Sequence, residues 1–232
     1  MKEGGGMNIN KSRSLISKII WGIIIAAIAF FFVRIAVWEY NYYREKEGSP
    51  RAVIEETEEE EVLNEEEVTV EEREEYKVAP DKPRYLSIEK LGIKNARILE
   101  MTLKMSGELQ TPQSIFDVGW YSGSGKPGEG RAIVIDGHNG GPTKVGVFKY
   151  LPELKTGDII TIERGDGKIF NYEVIENLEV PLENAGKYMS SALVLNESED
   201  EALTLITCTG EWSQSQKTYL SRQFTRAVLK ID

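Results

Sequence analysis

The sequence predicts a mainly-β domain, a closed or nearly closed barrel with short helices, preceded by a transmembrane helix and an acidic linker. Three observations lead there. Between residues 82 and 232 the chain breaks into short apolar and β-branched runs, parted at regular spacing by Gly, Pro and Asn. Such spacing is the mark of strands that close on themselves. Residues 19–33 are apolar without interruption. The formal charge of −10 is also unevenly spread. Residues 1–33 hold four basic and one acidic group, residues 34–79 six and sixteen, and residues 80–232 eighteen and twenty-one. The acidity thus belongs to a linker, and the barrel is nearly neutral.

Residues 1–18 form a polar N-terminus whose Lys2, Lys11, Arg13 and Lys18 favour the cytoplasmic side. The apolar run that follows is shorter than the about 20 residues a bilayer span takes. Arg34 can snorkel, and Ile35, Ala36, Val37 and Trp38 extend the run. Trp38, Tyr40, Tyr42 and Tyr43 then suit the membrane interface. A cleaved signal peptide would end in small residues before a polar start, whereas bulky aromatics follow here. The expectation is a single-pass anchor over residues 19–38 in the cell membrane, with the rest of the chain extracytoplasmic. The linker, 39–81, is rich in glutamate, so self-repulsion favours an extended or partly helical spacer. Pro80 and Pro83 mark the start of the folded domain, 82–232.

Within that domain, 85–88 and 93–98 read as a hairpin around Gly92. Thr111-Pro112 opens a short helical or irregular piece, 118–121 is a short strand, and 122–130 is a flexible glycine-rich loop. Residues 131–136 form an apolar strand, and 145–154 have helical spacing. Strands 158–163 and 168–180 join through Gly165-Asp166-Gly167, a strong hairpin signal. The connection 181–198 has room for a helix around 188–195. The last strands are 202–207, ended by a turn at Thr209-Gly210, and 219–231.

The chain holds one cysteine, Cys208, and one histidine, His138. Each stands where an apolar run gives way to glycine. A single thiol excludes an internal disulfide, and a buried inert cysteine is the bland alternative. A thiol attacks carbonyls as thiolate, so a neighbouring imidazole or cation must populate that form. The same imidazole can protonate a leaving amine, and the oxyanion needs a fixed donor. An arginine is a rigid, permanently charged donor. Arg222 and Arg226 share one face of the last strand, and either could meet Cys208 if the last two strands pair. There is no basic stripe, so nucleic acid is not an expected partner. No P-loop, G-x-G-x-x-G or metal-ligand cluster appears, and no cofactor or metal is expected.

These residues resemble the sortases, membrane-anchored cysteine transpeptidases of bacterial surfaces. Thr204-Leu205-Ile206-Thr207-Cys208 matches the TLxTC signature of that family, and Gly137-His138-Asn139-Gly140-Gly141 is similar to its histidine motif. Residues 145–158 resemble its "F…L..L..GD" segment, and 217–229 its last strand. The resemblance covers about 83–231 and implies an eight-stranded sortase-type β-barrel. It implies Cys208 as nucleophile, His138 as acid/base and Arg222 as the catalytic arginine, with Arg226 as the fallback. It also implies an LPxTG-like sorting-signal peptide as substrate, cleaved after its threonine through a thioacyl-enzyme. The acceptor would be an amine of a cell-wall precursor or a pilin lysine. The GHNGGP and GVF pattern and Thr209-Gly210-Glu211-Trp212 look nearest to the class F-like group. No long lid precedes the barrel, which argues against a pilin polymerase of the class C type. Two other readings stay open: a thiol protease that resolves the same acyl-enzyme with water, and a non-enzymatic tethered barrel with a buried thiol.

Overall fold

The computed structural model describes Phe31, Val33, Arg34 and residues 63–231 apart from Ser106. The expected anchor, 19–38, and the linker up to residue 62 lie outside the described residues, save Phe31, Val33 and Arg34, which are helical and exposed. Among the described residues, no helix is long and apolar enough to cross a membrane. The chain divides into two compact units, Met1–Glu58 and Glu59–Asp232. The second carries eight strands: β1 (Pro83–Ile88), β2 (Ile93–Met101), β3 (Val118–Tyr121), β4 (Ala132–Gly137), β5 (Ile159–Arg164), β6 (Ile169–Pro181), β7 (Ala202–Ser213) and β8 (Thr218–Leu229).

They close into a barrel in the order β1-β2-β3-β4-β7-β8-β6-β5, so the sheet has no free edge. Two pairs, β2 with β3 and β4 with β7, run parallel, and the rest are antiparallel. Alternation decides which side chains fill the barrel. Ile133 and Ile135 of β4, Leu203 and Leu205 of β7, and Ile160 and Ile162 of β5 join Leu86, Trp120 and Tyr172 in one buried cluster. The β1–β2 turn is made at Gly92, whose φ of 69° lies in the left-handed region.

Three elements differ from the sequence reading. Residues 145–154 form turns and a single 3₁₀ turn, Leu151–Glu153, instead of a helix. Pro152 at its start cannot extend an earlier helix, and Phe148, Leu151 and Leu154 reach the core without one. The helix of the β6–β7 connection, α2 (Leu182–Ala192), starts earlier than expected and ends before Leu193. Strand β7 does not stop after Cys208 either. Gly210, with φ 81°, takes up a register shift between Thr209 and Trp212, and pairing to β8 resumes through Ser213. A glycine bulge bends a strand without ending it.

The loop expected to be flexible and the last part of the linker are both tied down. The glycine-rich loop after β3 gives its Gly128 and Gly130 amides to the Glu201 carboxylate at 3.0 and 2.8 Å, and Trp120 Nε1 donates to Gly125 O. The last part of the acidic linker lies on the barrel. It contains the short helix α1 (Val70–Glu75), started by a capping box between Thr69 and Glu72. The Tyr76 hydroxyl donates to Ile98 O at 2.5 Å, and Asn64 bridges to Ser114.

Candidate active site

Strands β4, β7 and β8 lie side by side; β7 carries Cys208, β8 carries Arg222, and His138 follows the end of β4. In the parallel pair, Asp136 stands opposite Ile206. His138 lies two residues beyond Asp136, just past the end of β4, and Cys208 two residues beyond Ile206 on β7. The connection is fixed just short of these two residues by a buried bond: Thr207 Oγ1 donates to Gly137 O at 2.7 Å. Across the antiparallel pair, Cys208 stands directly opposite Arg222. Opposed residues of a sheet project to the same side. Because Leu203 and Leu205 point into the core, alternation turns Cys208 outward, together with Asp136 and Arg222.

Cys208 is half-buried. Burial pushes its thiol above the usual value, the Arg222 guanidinium pulls it back, and the nearby Asp136 carboxyl pushes it up again. Arg222 is held at the end of the barrel by Tyr219 O and Ser221 O, at 2.9 and 3.0 Å, and by Thr218 Oγ1 at 3.2 Å. Those acceptors fix the fork without neutralising it, so its charge remains for the thiolate or an oxyanion.

His138 follows the last residue of β4. Its Nε2 lies 2.7 Å from Pro112 O. A carbonyl can only accept, so Nε2 carries the hydrogen and Nδ1 is the basic nitrogen. Pro112 belongs to the irregular segment between β2 and β3, which crosses the outer face of β4. Gly146 N and Phe148 N bond back to Asn139 O and His138 O at 2.8 and 3.0 Å, so the backbone on either side of the imidazole is fixed.

Arg226, the alternative arginine, has a different environment. It stands opposite Thr204, two pleat repeats further along β8. Its Nε and Nη2 form a fork on Glu199, and Nη2 also donates to Val194 O at 2.7 Å. The pair is shut away from water, with side-chain exposures of 10% and 2%. The guanidinium holds the Glu199 carboxyl down to about 2. Arg226 therefore binds the β6–β7 connection to the barrel wall, and Arg222 is the arginine beside the thiol.

Asp136 and Thr111 did not emerge from the sequence as site residues. Thr111 Oγ1 donates to Asp136 Oδ2 at 2.8 Å, and Asp136 Oδ1 is buried with no partner among the described residues. Burial pushes this carboxyl up to about 7. A charge two residues before the only histidine, inside an otherwise apolar strand, is the signal that could have found it. Among the described residues, no cluster of His, Cys, Asp or Glu could hold a metal ion.

The sortase-domain family model matches residues 86–230. Several solved structures are also similar. Sortase C-1 from Actinomyces oris is 23% identical, with 67% of this chain and 77% of that chain covered at a TM-score of 0.49. Sortase C1 from Streptococcus agalactiae is 23% identical, covering 71% and 78% at 0.48. Clostridium perfringens sortase D5, a transpeptidase, is 24% identical, covering 71% and 90% at 0.46. A comparison with curated protein sequences gives no match. The family match, which spans well over half of the chain and takes in every strand that builds the site, shows that this chain belongs to the sortases, a family of cysteine transpeptidases.

Proposed function

We propose that the chain cleaves an LPxTG-like sorting signal and transfers the released acyl group to an amine, with Cys208, His138 and Arg222 as its working groups. The observation that supports this reading is the register that sets Cys208 of β7 opposite Arg222 of β8, with His138 directly following β4, the other neighbour of β7. The Cys208 thiolate attacks the carbonyl that follows the signal's threonine side chain, and its sulfur–carbon bond forms as the carbonyl π pair moves to oxygen. Arg222 stabilises that oxyanion. The imidazolium of His138 protonates the departing amine as the peptide carbon–nitrogen bond breaks, leaving a thioester. An incoming amine, from a cell-wall precursor or a pilin lysine, then gives its proton to the imidazole and displaces the thiolate.

An N-terminal anchor over residues 19–38 would hold this site outside the cell membrane, where sorting signals of secreted proteins arrive. The GHNGGP pattern around His138 and the Thr209-Gly210-Glu211-Trp212 stretch support a reading nearest to the class F-like group. The test is product analysis of the full chain with LPxTG-variant peptides, with and without glycine or lysine amines. The expected product with an amine is the amide adduct. Hydrolysis that no added amine diverts would favour the thiol protease instead. Uptake of neither peptide, with a Cys208 that resists alkylation in the folded chain, would favour a binding barrel.

A further inference from the structure

The segment that touches His138 is itself held by a side chain of β4. Thr111 and Pro112 are adjacent. Thr111 Oγ1 donates to Asp136 Oδ2 at 2.8 Å, and Pro112 O accepts from His138 Nε2 at 2.7 Å. Asp136 lies on β4, and His138 comes two residues later, just past the end of that strand. The segment is thus a strap pinned across the end of β4 at both residues. From outside it is pinned again, where Asn64 N donates to Gln113 O and Ile115 N to Asn64 O at 2.9 and 3.0 Å.

We propose that Asp136 is a positioning residue of this site, acting through Thr111 and Pro112 to hold the His138 imidazole in the tautomer that keeps Nδ1 as its base. This inference rests on the acyl-transfer reading of the site. The rest of the structure makes room for the carboxyl. Asp136 stands opposite Gly119 of β3, and a Cβ there would lie 2.5 Å from Oδ1, 2.8 Å from Met101 Cγ and 3.0 Å from Pro112 Cδ. The missing side chain at 119 lets the carboxyl lean under the strap.

A merely structural role explains this poorly. A buried acid with an unpartnered oxygen costs stability, and an aliphatic side chain would fill the space better. Asp136 faces Thr111 and Pro112 of the strap, Met101 of β2, Gly119 of β3 and the Cys208 thiol of β7. None of these is basic, so only the Thr111 hydroxyl and the residue's own backbone amide offset the burial of the carboxyl. Burial leaves it neutral in slightly acid solution and ionised in alkali. Its ionised form raises the thiol's pKa, so the carboxyl also acts through space on the group that its strap serves.

The test uses the single histidine and single cysteine of the full chain. Imidazole ¹⁵N shifts report the tautomer of His138 with no assignment ambiguity. The expected result is that Thr111→Val, which keeps shape but loses the donor, mixes the two tautomers, while Thr111→Ser restores the wild-type shifts. Asp136→Asn still accepts from Thr111, so it keeps the tautomer but moves the midpoint of Cys208 alkylation by iodoacetamide to lower pH. Wild-type shifts in a folded Thr111→Val would overturn the proposal, as would an unmoved alkylation midpoint in Asp136→Asn. Neither readout needs a substrate. A wild-type chain that processes no peptide would sink the transpeptidase reading and leave this outcome standing or falling by itself.

Discussion

Replacing each of the two arginines of β8 by alanine should separate activity from stability. Arg226 spans a buried pair with Glu199 and also bonds Val194 O and Thr204 Oγ1. Truncating it leaves the Glu199 carboxylate buried without its partner, at a cost of about 3–5 kcal/mol. For a domain of this size each kcal/mol moves Tm by about 2–4 °C, so Arg226→Ala should melt roughly 6–20 °C lower. Arg222 bonds only backbone and hydroxyl acceptors at the barrel's end. Losing these should cost about 1 kcal/mol or less. If Arg222 meets the oxyanion, however, its removal should lower kcat by about 10²–10³-fold. It should also raise the Cys208 thiol pKa, because the guanidinium is the group that lowers it. The assays are thermal melting and peptide turnover, the latter run well below either Tm. A folded Arg226→Ala that loses turnover while Arg222→Ala keeps it would refute the assignment.

Three further outcomes follow from the same geometry. Asp136 ionises near pH 7 in the fold but near 4 when unfolded, so its neutral form stabilises the fold below pH 4 and that contribution is lost as pH rises through 7. Asp136→Asn should therefore gain on wild type from pH 5 to 8, by up to about 4 kcal/mol, in denaturant titrations, with the gap closing below pH 4; a pH-independent gap would contradict the shift. Thr207→Val leaves Gly137 O without its donor beside the paired ends of β4 and β7, and should cost about 1–3 kcal/mol by chemical denaturation. Gly119→Ala drives a methyl into the Asp136 carboxyl and Pro112, and should lower Tm and disturb the His138 ¹⁵N shifts together; an unchanged spectrum would mean the strap yields without moving the imidazole.

Much of this was legible because period-two alternation and turn glycines act locally. Gly92 and Gly165-Asp166-Gly167 marked their hairpins, and the apolar runs of β4 and β7 marked the strand that leads to His138 and the one that carries Cys208. The parallel pairing of β4 with β7 was not legible, since no local signal states which strand lies beside which. The same gap left Arg222 and Arg226 equivalent, because both share a face. The β7–β8 register, which sets Arg222 opposite Cys208, and Glu199, which pairs with Arg226, tell them apart. At 145–154 the helical spacing misled, because Phe148, Leu151 and Leu154 meet the core through turns around Pro152. At Gly210 a turn signal proved to be a bulge within a continuing strand. Asp136 escaped notice because its meaning lies in Thr111 and Gly119, neither of which is near it in sequence.

The most direct test of the central claim is the intact mass of the full chain after mixing with an LPxTG-like peptide in the absence of an amine. The expected result is a mass gain equal to the acyl fragment, mapped to Cys208, absent in Cys208→Ala and slowed in both His138→Ala and Arg222→Ala. Peptide cleavage by Cys208→Ala at the wild-type rate, or an adduct mapped to any other residue, would contradict it.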